Sequence, residues 1–211
     1  MKAMANFEAL VQSVMDGNEA QVKEQTKALV DGGADPLEII NQGLIAGMNI
    51  VGARFKAAEM FIPEVLMSAK SMAAGIEIVK HLIADKDMPN KGVIVLGTVK
   101  DDLHDIGKNL VGMMLESGGF KVINLGINIA PENFVAAVKE HKPQIVAMSA
   151  LLTTTMPHMK DTIELIREEG IPVKCIIGGA PITQDFADKI NADGYSPDAA
   201  SAVELCTSLL A

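Results

Sequence analysis

The hydrophobic period of the chain changes once, near residue 85, and this change limits the folds that are open to it. Before that point, apolar residues recur every three or four positions, as in FEALVQSVM, which indicates amphipathic helices. After it, unbroken apolar runs such as GVIVLGTV alternate with helical patterns, which is typical of buried parallel strands separated by helices. With 211 residues, the chain is long enough for two small domains. We therefore predict an α + α/β architecture.

The first part is predicted to be a four-helix bundle over residues 1–84. Asp35-Pro36 fits an N-cap residue followed by proline at the first helical position. Pro63 is expected to begin the last helix in the same way. The four segments that carry the helical period are FEALVQSVM, AQVKEQTKALV, PLEIINQGLIAGMNIVGARF and PEVLMSAKSMAAGIEIVKHLI. Short connections between them favour a bundle.

The second part is predicted to be a doubly wound parallel sheet, Rossmann-like or flavodoxin-like, over residues 92–211. Between the two parts, DKDMPNK (85–91) is polar, contains proline and breaks the helical period, so we predict a linker there. The predicted strands are GVIVLGTV, KVINLG, QIVAMSAL and VKCIIGGA, with a short fifth strand near GYS. Continuous apolar strands of this kind imply a sheet that is covered by helices on both faces.

Composition argues against several classes of function. The formal net charge is −9 and no cluster of Lys or Arg stands out, so nucleic-acid binding is disfavoured. No segment approaches the roughly 18 apolar residues of a membrane span, and the N-terminus lacks the pattern of a signal peptide. We therefore expect a cytoplasmic protein. Cys175 and Cys206 show neither metal-ligand spacing nor a disulfide framework, and Cys175 is expected in the core.

Unusual polar residues and glycines follow three of the predicted strands. In a doubly wound sheet, ligands bind at the carboxyl ends of the strands. Strand one runs into Asp101, Asp102, His104 and Gly107, strand three into Ser149, Leu151 and the run Thr153-Thr154-Thr155, and strand four into Gly178-Gly179. The sequence therefore predicts that three distant segments converge on one edge of the sheet.

Several familiar chemistries do not fit these segments. The dinucleotide fingerprint and the P-loop are both missing after strand one. A phosphate-receiver domain would place a carboxylate where Ser149 stands. A zinc site needs several His or Cys ligands, whereas His81, His141 and His158 fall at no expected strand end. A triad of Ser149, His104 and Asp102 is conceivable, but no nucleophile elbow surrounds the serine.

A single histidine suits one kind of site better. One imidazole suffices as an axial ligand for a large planar metal cofactor that brings its own equatorial ligands. Asp102 is close enough in sequence to orient His104 and raise its basicity, a hydroxyl could extend that relay, and glycines let backbone approach a bulky ligand. The plainer interpretation, a solvated helix-cap histidine among acids, stays open at this point.

Taken together, the three segments resemble the cobalamin-binding signature D-x-H-x-x-G … S-x-L … G-G. In this sequence the signature reads DLHDIG (102–107), SAL (149–151) and GG (178–179). Upstream, GMNIVGARFKAAEMFIPEVLMSAKSM resembles the helical cap that precedes the cobalamin domain in methionine synthase and in corrinoid proteins. The resemblance covers nearly the whole chain. Size and layout resemble those of stand-alone corrinoid proteins, which serve methyltransferase systems for methanol, methylamines, betaines or methoxylated aromatics.

The resemblance implies a role for individual residues. His104 would replace the dimethylbenzimidazole of cobalamin as the lower cobalt ligand, Asp102 would accept a hydrogen bond from it, and Thr155, a serine in methionine synthase, would extend the relay. Ser149 and Thr153 would contact the base of the displaced nucleotide tail, Gly178 and Gly179 would line its slot, and Gly194 and Tyr195 would lie nearby. Phe55 and Ile62 would cover the methyl group, with Ile62 where leucine is more usual. The full set of implied cofactor-binding residues is Asp102, Leu103, His104, Asp105, Ile106, Gly107, Ser149, Leu151, Thr153, Gly178, Gly179, Gly194, Tyr195, Phe55 and Ile62.

The resemblance also implies a function as a corrinoid methyl carrier. Cobalt(I) would take a methyl group from a substrate-specific methyltransferase. Methyl-cobalt(III) would then pass it to a second methyltransferase that uses tetrahydrofolate, tetrahydromethanopterin or a thiol as acceptor. A reductive activator is expected as a further partner, and the chain alone would turn nothing over.

Two other interpretations stay open. One is the cobalamin subunit of an adenosylcobalamin-dependent mutase, although such subunits lack the four-helix cap. The other is a cobalamin-dependent sensor, although no DNA-binding or signalling module is visible in the sequence.

Overall fold

The first compact unit is all-helical. The computed structural model describes residues 7–83 and 90–211, and the chain divides into two compact units, the second of which comprises residues 90–116 and 120–211. The helices of the first unit are α1 Glu8–Met15, α2 Glu19–Asp31, α3 Pro36–Glu38, a π-helix Ile39–Ile45, α4 Ala46–Lys56, α5 Ile62–Val79 and a 3₁₀ turn Lys80–Leu82. The predicted helical bundle is confirmed. The predicted domain boundaries 1–84, 85–91 and 92–211 stay predictions, and most of the predicted linker lies outside the described residues.

The third helix begins where we predicted, but it is not a regular α-helix throughout. The Asp35 carboxylate accepts hydrogen bonds from the N–H groups of Leu37 and Glu38, at 2.8 and 3.2 Å, so it caps the helix as predicted. A π-helix then widens the middle of the segment. Gly43 lies there, and a Cβ at this position would come within 2.5 Å of Leu10. The wide turn therefore coincides with a close approach of two helices, which hydrophobic periodicity does not reveal.

The last helix of this unit begins one residue earlier than predicted. Ile62 is its first residue and Pro63 its second. The backbone N–H of Phe61 donates to the Glu64 carboxylate at 2.8 Å, so a side chain of the first turn satisfies it. Proline is tolerated at the second position of the helix because a backbone N–H there would have no hydrogen-bond partner within the helix.

The second unit is a five-stranded parallel sheet with helices on both faces. Its elements are β1 Val93–Val99, α6 Ile106–Ser117, β2 Lys121–Ile129, α7 Pro131–His141, β3 Ile145–Ser149, α8 Pro157–Glu168, β4 Lys174–Gly178, α9 Gln184–Lys189, β5 Gly194–Ser196 and α10 Ala199–Leu209. The strand order is β2-β1-β3-β4-β5, which is the flavodoxin-like order. The predicted doubly wound sheet is therefore confirmed, with β2 three residues longer than the predicted KVINLG.

Two apolar cores lie on opposite faces of this sheet. Alternate residues of β1 point to opposite sides, so Val95 and Val99 join one core while Ile94 and Leu96 join the other. Cys175 is fully buried in the first core, as predicted. Burial raises the pKa of its thiol to about 12, so this cysteine packs as an apolar residue.

The strand order places a ligand crevice at one point of the carboxyl edge. β2 pairs with one side of β1, and β3 pairs with the other side. The helices that follow β1 and β3 therefore lead in opposite directions along the sheet, and the strand order reverses between these two strands. Such a reversal opens a crevice beyond the strand ends. Thr98 is paired with Ser149, Ser149 with Gly178, and Gly178 with Ser196, so these residues form one row along this edge.

No helix within residues 7–83 and 90–211 combines the length and the apolar character that crossing a membrane requires.

Candidate functional site

The carboxylate of Asp102 is the centre of the candidate site. Its side chain is fully buried. Oδ1 lies 2.7 Å from Nδ1 of His104, and Oδ2 accepts hydrogen bonds at 2.7 Å from both the Leu151 N–H and the Thr155 hydroxyl. The Thr155 hydroxyl also lies 2.9 Å from the carbonyl oxygen of Leu152, but its single proton favours the charged acceptor. The predicted trio of Asp102, His104 and Thr155 is thus brought together by hydrogen bonds.

These hydrogen bonds keep Asp102 ionised. Burial on its own raises the pKa of a carboxyl group. Here the effect of burial is smaller than the combined effect of the hydrogen bonds that come from the Leu151 N–H, from Thr155 and from His104. Together these hydrogen bonds hold the pKa of Asp102 well below its usual range. At neutral pH the site therefore contains a buried anion that only accepts hydrogen bonds.

Stability should consequently depend on the Asp102 carboxylate in a defined pH window. Because folding depresses the pKa of Asp102, its ionised carboxylate stabilises the fold at pH values above its unfolded-state pKa of about 3.9. This contribution is lost as the pH falls toward the pKa of Asp102 in the folded state. We expect Asp102→Asn to lower the free energy of unfolding by about 2 kcal/mol at pH 7. The gap in the free energy of unfolding between the variant and the wild type should narrow progressively below about pH 4.

Urea unfolding at a series of pH values measures this gap. Asp185→Asn, on the exposed first turn of α9, is the matched control for the loss of a carboxylate and should change stability little. A gap of constant size over the whole pH range would contradict the assignment.

The imidazole of His104 presents its second nitrogen to solvent. Because the Asp102 carboxylate only accepts, the proton of the neutral ring lies on Nδ1, which leaves a lone pair on Nε2. The ring is half exposed. The backbone of His104 is fixed on both sides, since its N–H donates to Asp102 at 3.1 Å and its carbonyl accepts from the Thr98 hydroxyl at 2.9 Å. An oriented imidazole with a free Nε2 is a ready ligand for one metal coordination position.

The loop that carries Asp102 is held in place by a residue that the sequence did not single out. Asp101 and Asn128 both adopt left-handed backbone conformations, with φ of 63° and 55°. The Asp101 N–H donates to the side chain of Asn128 at 2.8 Å, and the Asn128 N–H donates to the carbonyl of Asp102 at 3.0 Å. The two unusual conformations therefore support each other. Asn128 lies near the carboxyl end of β2, and an asparagine at such a position is a weak sequence signal for this role, because asparagine tolerates this conformation.

His158 lies closer to the Asp102 loop than its place in the sequence indicates. It belongs to α8 and falls at no strand end, yet its ring lies beside the loop that follows β1. Its Nε2 is 3.4 Å from the Asp101 carboxylate, and its Nδ1 is 3.2 Å from that of Asp161. β1 and β3 are neighbouring strands, so the first turn of α8, which follows β3, lies beside the loop that follows β1. His158 thus links the loop that carries the Asp102 carboxylate to the helix that follows Thr155.

Glycines close the site at the ends of β3 and β4. Ser149 and Gly178 pair directly across these strands. Gly179 has a φ of 138°, and a Cβ there would lie 1.9 Å from the carbonyl oxygen of Ala150. At Gly178 a Cβ would meet the Ser196 carbonyl oxygen at 3.0 Å. The predicted Gly-Gly pair is therefore required at least in part by the close approach of backbone segments.

Apolar side chains form an exposed rim around His104. Leu103 and Ile106 are 67% and 73% exposed, and Leu151 and Leu152 are 41% and 42% exposed. Large apolar side chains left in solvent at the end of a parallel sheet are typical of a ligand-binding edge. A Cβ at Gly107 would have no atom within 4 Å, so this glycine borders open space.

The structure places the remaining predicted residues at several other positions in the two units. Thr153 is exposed in the turn after β3, and Asp105 is exposed next to His104. Gly194 and Tyr195 belong to β5, the predicted short fifth strand, and a Cβ at Gly194 would meet Leu205 of α10 at 2.9 Å. In the helical unit, Phe55 is half-buried near the end of α4 and Ile62 is 40% exposed at the start of α5. Within residues 7–83 and 90–211, no group of three or more His, Cys, Asp or Glu side chains is arranged to hold a metal ion.

Family models identify both units of the chain. A model of the B12 binding domain matches residues 92–204. A second B12 binding domain model matches residues 7–80. The chain belongs to the B12 binding family. Cobalamin, the cofactor expected from the sequence, is therefore confirmed at the level of the family.

Relatives in this family match almost the full chain. A corrinoid protein of Desulfitobacterium hafniense (strain Y51) is 43% identical over 212 residues, which cover 98% of this chain and 98% of that protein. Dimethylamine corrinoid protein 1 of Methanosarcina acetivorans is 49% identical over 183 residues, 85% of this chain and 86% of that protein. The predicted resemblance to stand-alone corrinoid proteins is confirmed.

Solved structures of the B12 binding family agree with this fold. The crystal structure of the methanol:cobalamin methyltransferase complex MtaBC from Methanosarcina barkeri contains a chain with a TM-score of 0.87 and 32% identity, covering 97% of this chain and 79% of that one. A cobalamin-binding protein from D. hafniense DCB-2 gives a TM-score of 0.83 and 31% identity, covering 98% of this chain and 99% of that one.

Proposed function

We propose that this chain is a methyl carrier that holds a corrinoid with His104 as its lower ligand and passes a methyl group between two methyltransferases. The observation that carries the proposal is the free Nε2 of His104, which is set by the ionised carboxylate of Asp102. Relatives named dimethylamine and trimethylamine corrinoid proteins support the methyl-carrier function over a mutase subunit or a sensor. The complex of a related chain in a methanol:cobalamin methyltransferase supports a substrate-specific methyltransferase as partner.

The donor set of the site fits a corrinoid. A corrin ring supplies the equatorial ligands of its metal, so one imidazole from the protein completes the lower side. The face of the ring is largely apolar, and the exposed rim of Leu103, Ile106 and Leu151 offers an apolar surface of matching character. The open space beside Gly107 lets a bulky group approach the backbone of α6.

Each predicted site residue is proposed to keep its role. His104, Asp102 and Thr155 would form the ligand and its relay, and Leu103, Asp105, Ile106, Gly107 and Leu151 would border the ring. Ser149, Thr153, Gly178, Gly179, Gly194 and Tyr195 would receive the nucleotide tail. Phe55 and Ile62 would shield the methyl group.

The residues of the chain control the proton on the ligand. The corrinoid, when bound, supplies a cobalt ion that accepts and releases a methyl group. Asp102 holds the Nδ1 proton of His104 and orients the ring, so that Nε2 keeps its lone pair. When Nε2 is not bound to a metal, it is open to solvent and can take up a proton. The adjacent carboxylate, stabilised by Thr155 and the Leu151 N–H, then neutralises the imidazolium.

Further partners follow from the same proposal. The methyl group needs an acceptor methyltransferase that uses tetrahydrofolate, tetrahydromethanopterin or a thiol. A low-valent metal is readily oxidised, so a reductive activator is a third proposed partner. The chain alone would then complete no turnover.

The proposal is tested by loading the purified chain with hydroxocobalamin and removing unbound corrinoid by gel filtration. We expect about one corrinoid per chain. The loaded protein, reduced chemically and treated with radiolabelled methyl iodide, should keep label in the dark and lose it on illumination. If no corrinoid elutes with the protein, the proposed function is wrong.

A variant at Gly107 separates binding from folding in this experiment. Gly107→Leu should fold normally, because a Cβ there meets no atom of the described residues within 4 Å beyond its chain neighbours and the backbone of its own helix. It should retain at least tenfold less corrinoid, since its side chain fills the open space. Glu140→Leu, at the exposed C-terminal end of α7, is the matched control and should load like the wild type.

A further inference from the structure

The described residues include two fully or almost fully buried charged side chains, and they flank His104 in the sequence. One is the Asp102 carboxylate, whose role is given above. The other is Lys108, which is 3% exposed. Burying an ammonium group costs free energy unless other groups replace its hydration. The roles given above to His104, to its relay and to the apolar rim do not explain why Lys108 is buried.

Lys108 ties the first turn of α6 to the edge strand β2. Its Nζ donates to the side-chain oxygen of Asn109 at 2.6 Å and to that of Asn124, in β2, at 2.8 Å. Burial lowers the pKa of Lys108, and the Asp105 carboxylate acts in the opposite direction. Two amide oxygens and a nearby carboxylate thus replace water around the ammonium group.

The same cluster holds the residue that follows His104. The Asn109 side chain donates to the Asp105 carboxylate at 3.1 Å, and the Asn109 N–H donates to the Asp105 carbonyl at 2.7 Å. The loop around His104 therefore has two supports. Asp102 and Thr98 bind the backbone of His104 itself, and the Lys108–Asn109 cluster binds the loop directly after it. Because the imidazole is half exposed, its direction depends on both supports.

We propose that Lys108 is a positioning residue that keeps Nε2 of His104 aimed at the metal, by fixing Asn109 and through it Asp105. The proposal rests on the proposed function in that His104 is taken as the metal ligand. Lys108 acts through the loop and has no contact with the ligand nitrogen.

Three variants test this role. Lys108→Met removes the ammonium group but leaves the amide oxygens with donors, since Asn109 still accepts from the Asn124 side chain at 3.2 Å and Asn124 from the Gly126 N–H at 3.0 Å. This variant should therefore fold. Asn109→Ala keeps the cation and breaks its link to Asp105. Lys160→Met, at an exposed lysine of α8 that pairs with Glu164, is the control.

The measurement is a pH titration of the visible spectrum of the full chain loaded with methylcobalamin, which gives the pH at which His104 leaves the metal. Loss of a charge-assisted support should weaken imidazole coordination about tenfold. We expect the midpoint to rise by about one pH unit in both Lys108→Met and Asn109→Ala, and to stay unchanged in Lys160→Met. An unchanged midpoint in both variants overturns the proposal. A shift in Lys108→Met alone also overturns it, because it would report the missing charge and not the position of the loop.

Amide hydrogen exchange of the corrinoid-free chain separates this proposal from the proposed function. Exchange across residues 103–107 should become faster in Lys108→Met and Asn109→Ala and stay unchanged in Lys160→Met. If the wild type shows no spectrum that depends on His104, the proposed function fails, whereas the exchange rates still decide whether Lys108 anchors the loop. Unchanged exchange in both variants overturns the anchoring.

Discussion

His104→Ala is expected to abolish the imidazole-ligated spectrum of the bound corrinoid while leaving the fold intact. The His104 ring is half exposed, and alanine preserves the backbone hydrogen bonds to Asp102 and Thr98. Asp102 also keeps its donors from Leu151 and Thr155. The free energy of unfolding should therefore change by less than about 1 kcal/mol. The visible spectrum of the loaded variant should be that of a corrinoid without a histidine ligand.

Two controls make this experiment specific. His141→Ala removes a histidine from the end of α7, at the opposite edge of the sheet from the candidate site, and should leave the spectrum unchanged. Free imidazole added to His104→Ala should restore the wild-type spectrum in a concentration-dependent way, because it can occupy the space of the missing ring. If His104→Ala and the wild type have the same spectrum, His104 is not the ligand and the proposed mechanism is wrong.

The placement of Asp102, Ser149 and Gly178 at the carboxyl edge of the sheet was predictable, because it depends mainly on the strand order. Each residue stands at the end of an apolar run, and parallel strands bring their carboxyl ends together. The Asp102–His104 contact was predictable as well, since two residues in an extended loop can bring carboxylate and imidazole together. Periodicity and chain-local geometry therefore account for the placement of His104 and Asp102, whereas the proposed ligand role of His104 comes from the resemblance to the cobalamin-binding signature.

The residues that hold this pair in place were not predictable, because they come from contacts between distant segments. Asn128 supports the loop of Asp101 from the end of β2, and His158 reaches the same loop from α8. Lys108 follows the motif directly, yet its burial depends on Asn124 of the neighbouring strand. In the helical unit, the π-helix over Ile39–Ile45 coincides with the close approach of Gly43 to Leu10 of α1, which a regular apolar period does not reveal. Sequence patterns point to the proposed ligand, and tertiary contacts decide how firmly its loop is held.

Gly179→Ala is expected to have the largest effect on the stability of the α/β unit. A φ of 138° is a conformation that residues with a side chain rarely adopt, and the new Cβ would lie 1.9 Å from the Ala150 carbonyl oxygen. The neighbour is backbone, so no side-chain rotation can relieve the overlap. Backbone strain and steric overlap together should lower the free energy of unfolding by about 3 kcal/mol or more. Urea unfolding can be followed by the fluorescence of Tyr195 in β5, because the chain has one tyrosine and no tryptophan.

The same substitution should also weaken corrinoid retention, because the overlap is transmitted to the ligand relay. Ala150 directly precedes Leu151, whose N–H donates to the Asp102 carboxylate at 2.7 Å. Moving the Ala150 peptide displaces that donor, and Asp102 then orients His104 less firmly. Gly170→Ala is the matched control, since Gly170 has a φ of 67° with no atom within 4 Å of its Cβ position. It should cost only about 1 kcal/mol and leave corrinoid retention unchanged. Equal losses of stability in the two variants would show that conformation at Gly179 matters and the approach to Ala150 does not.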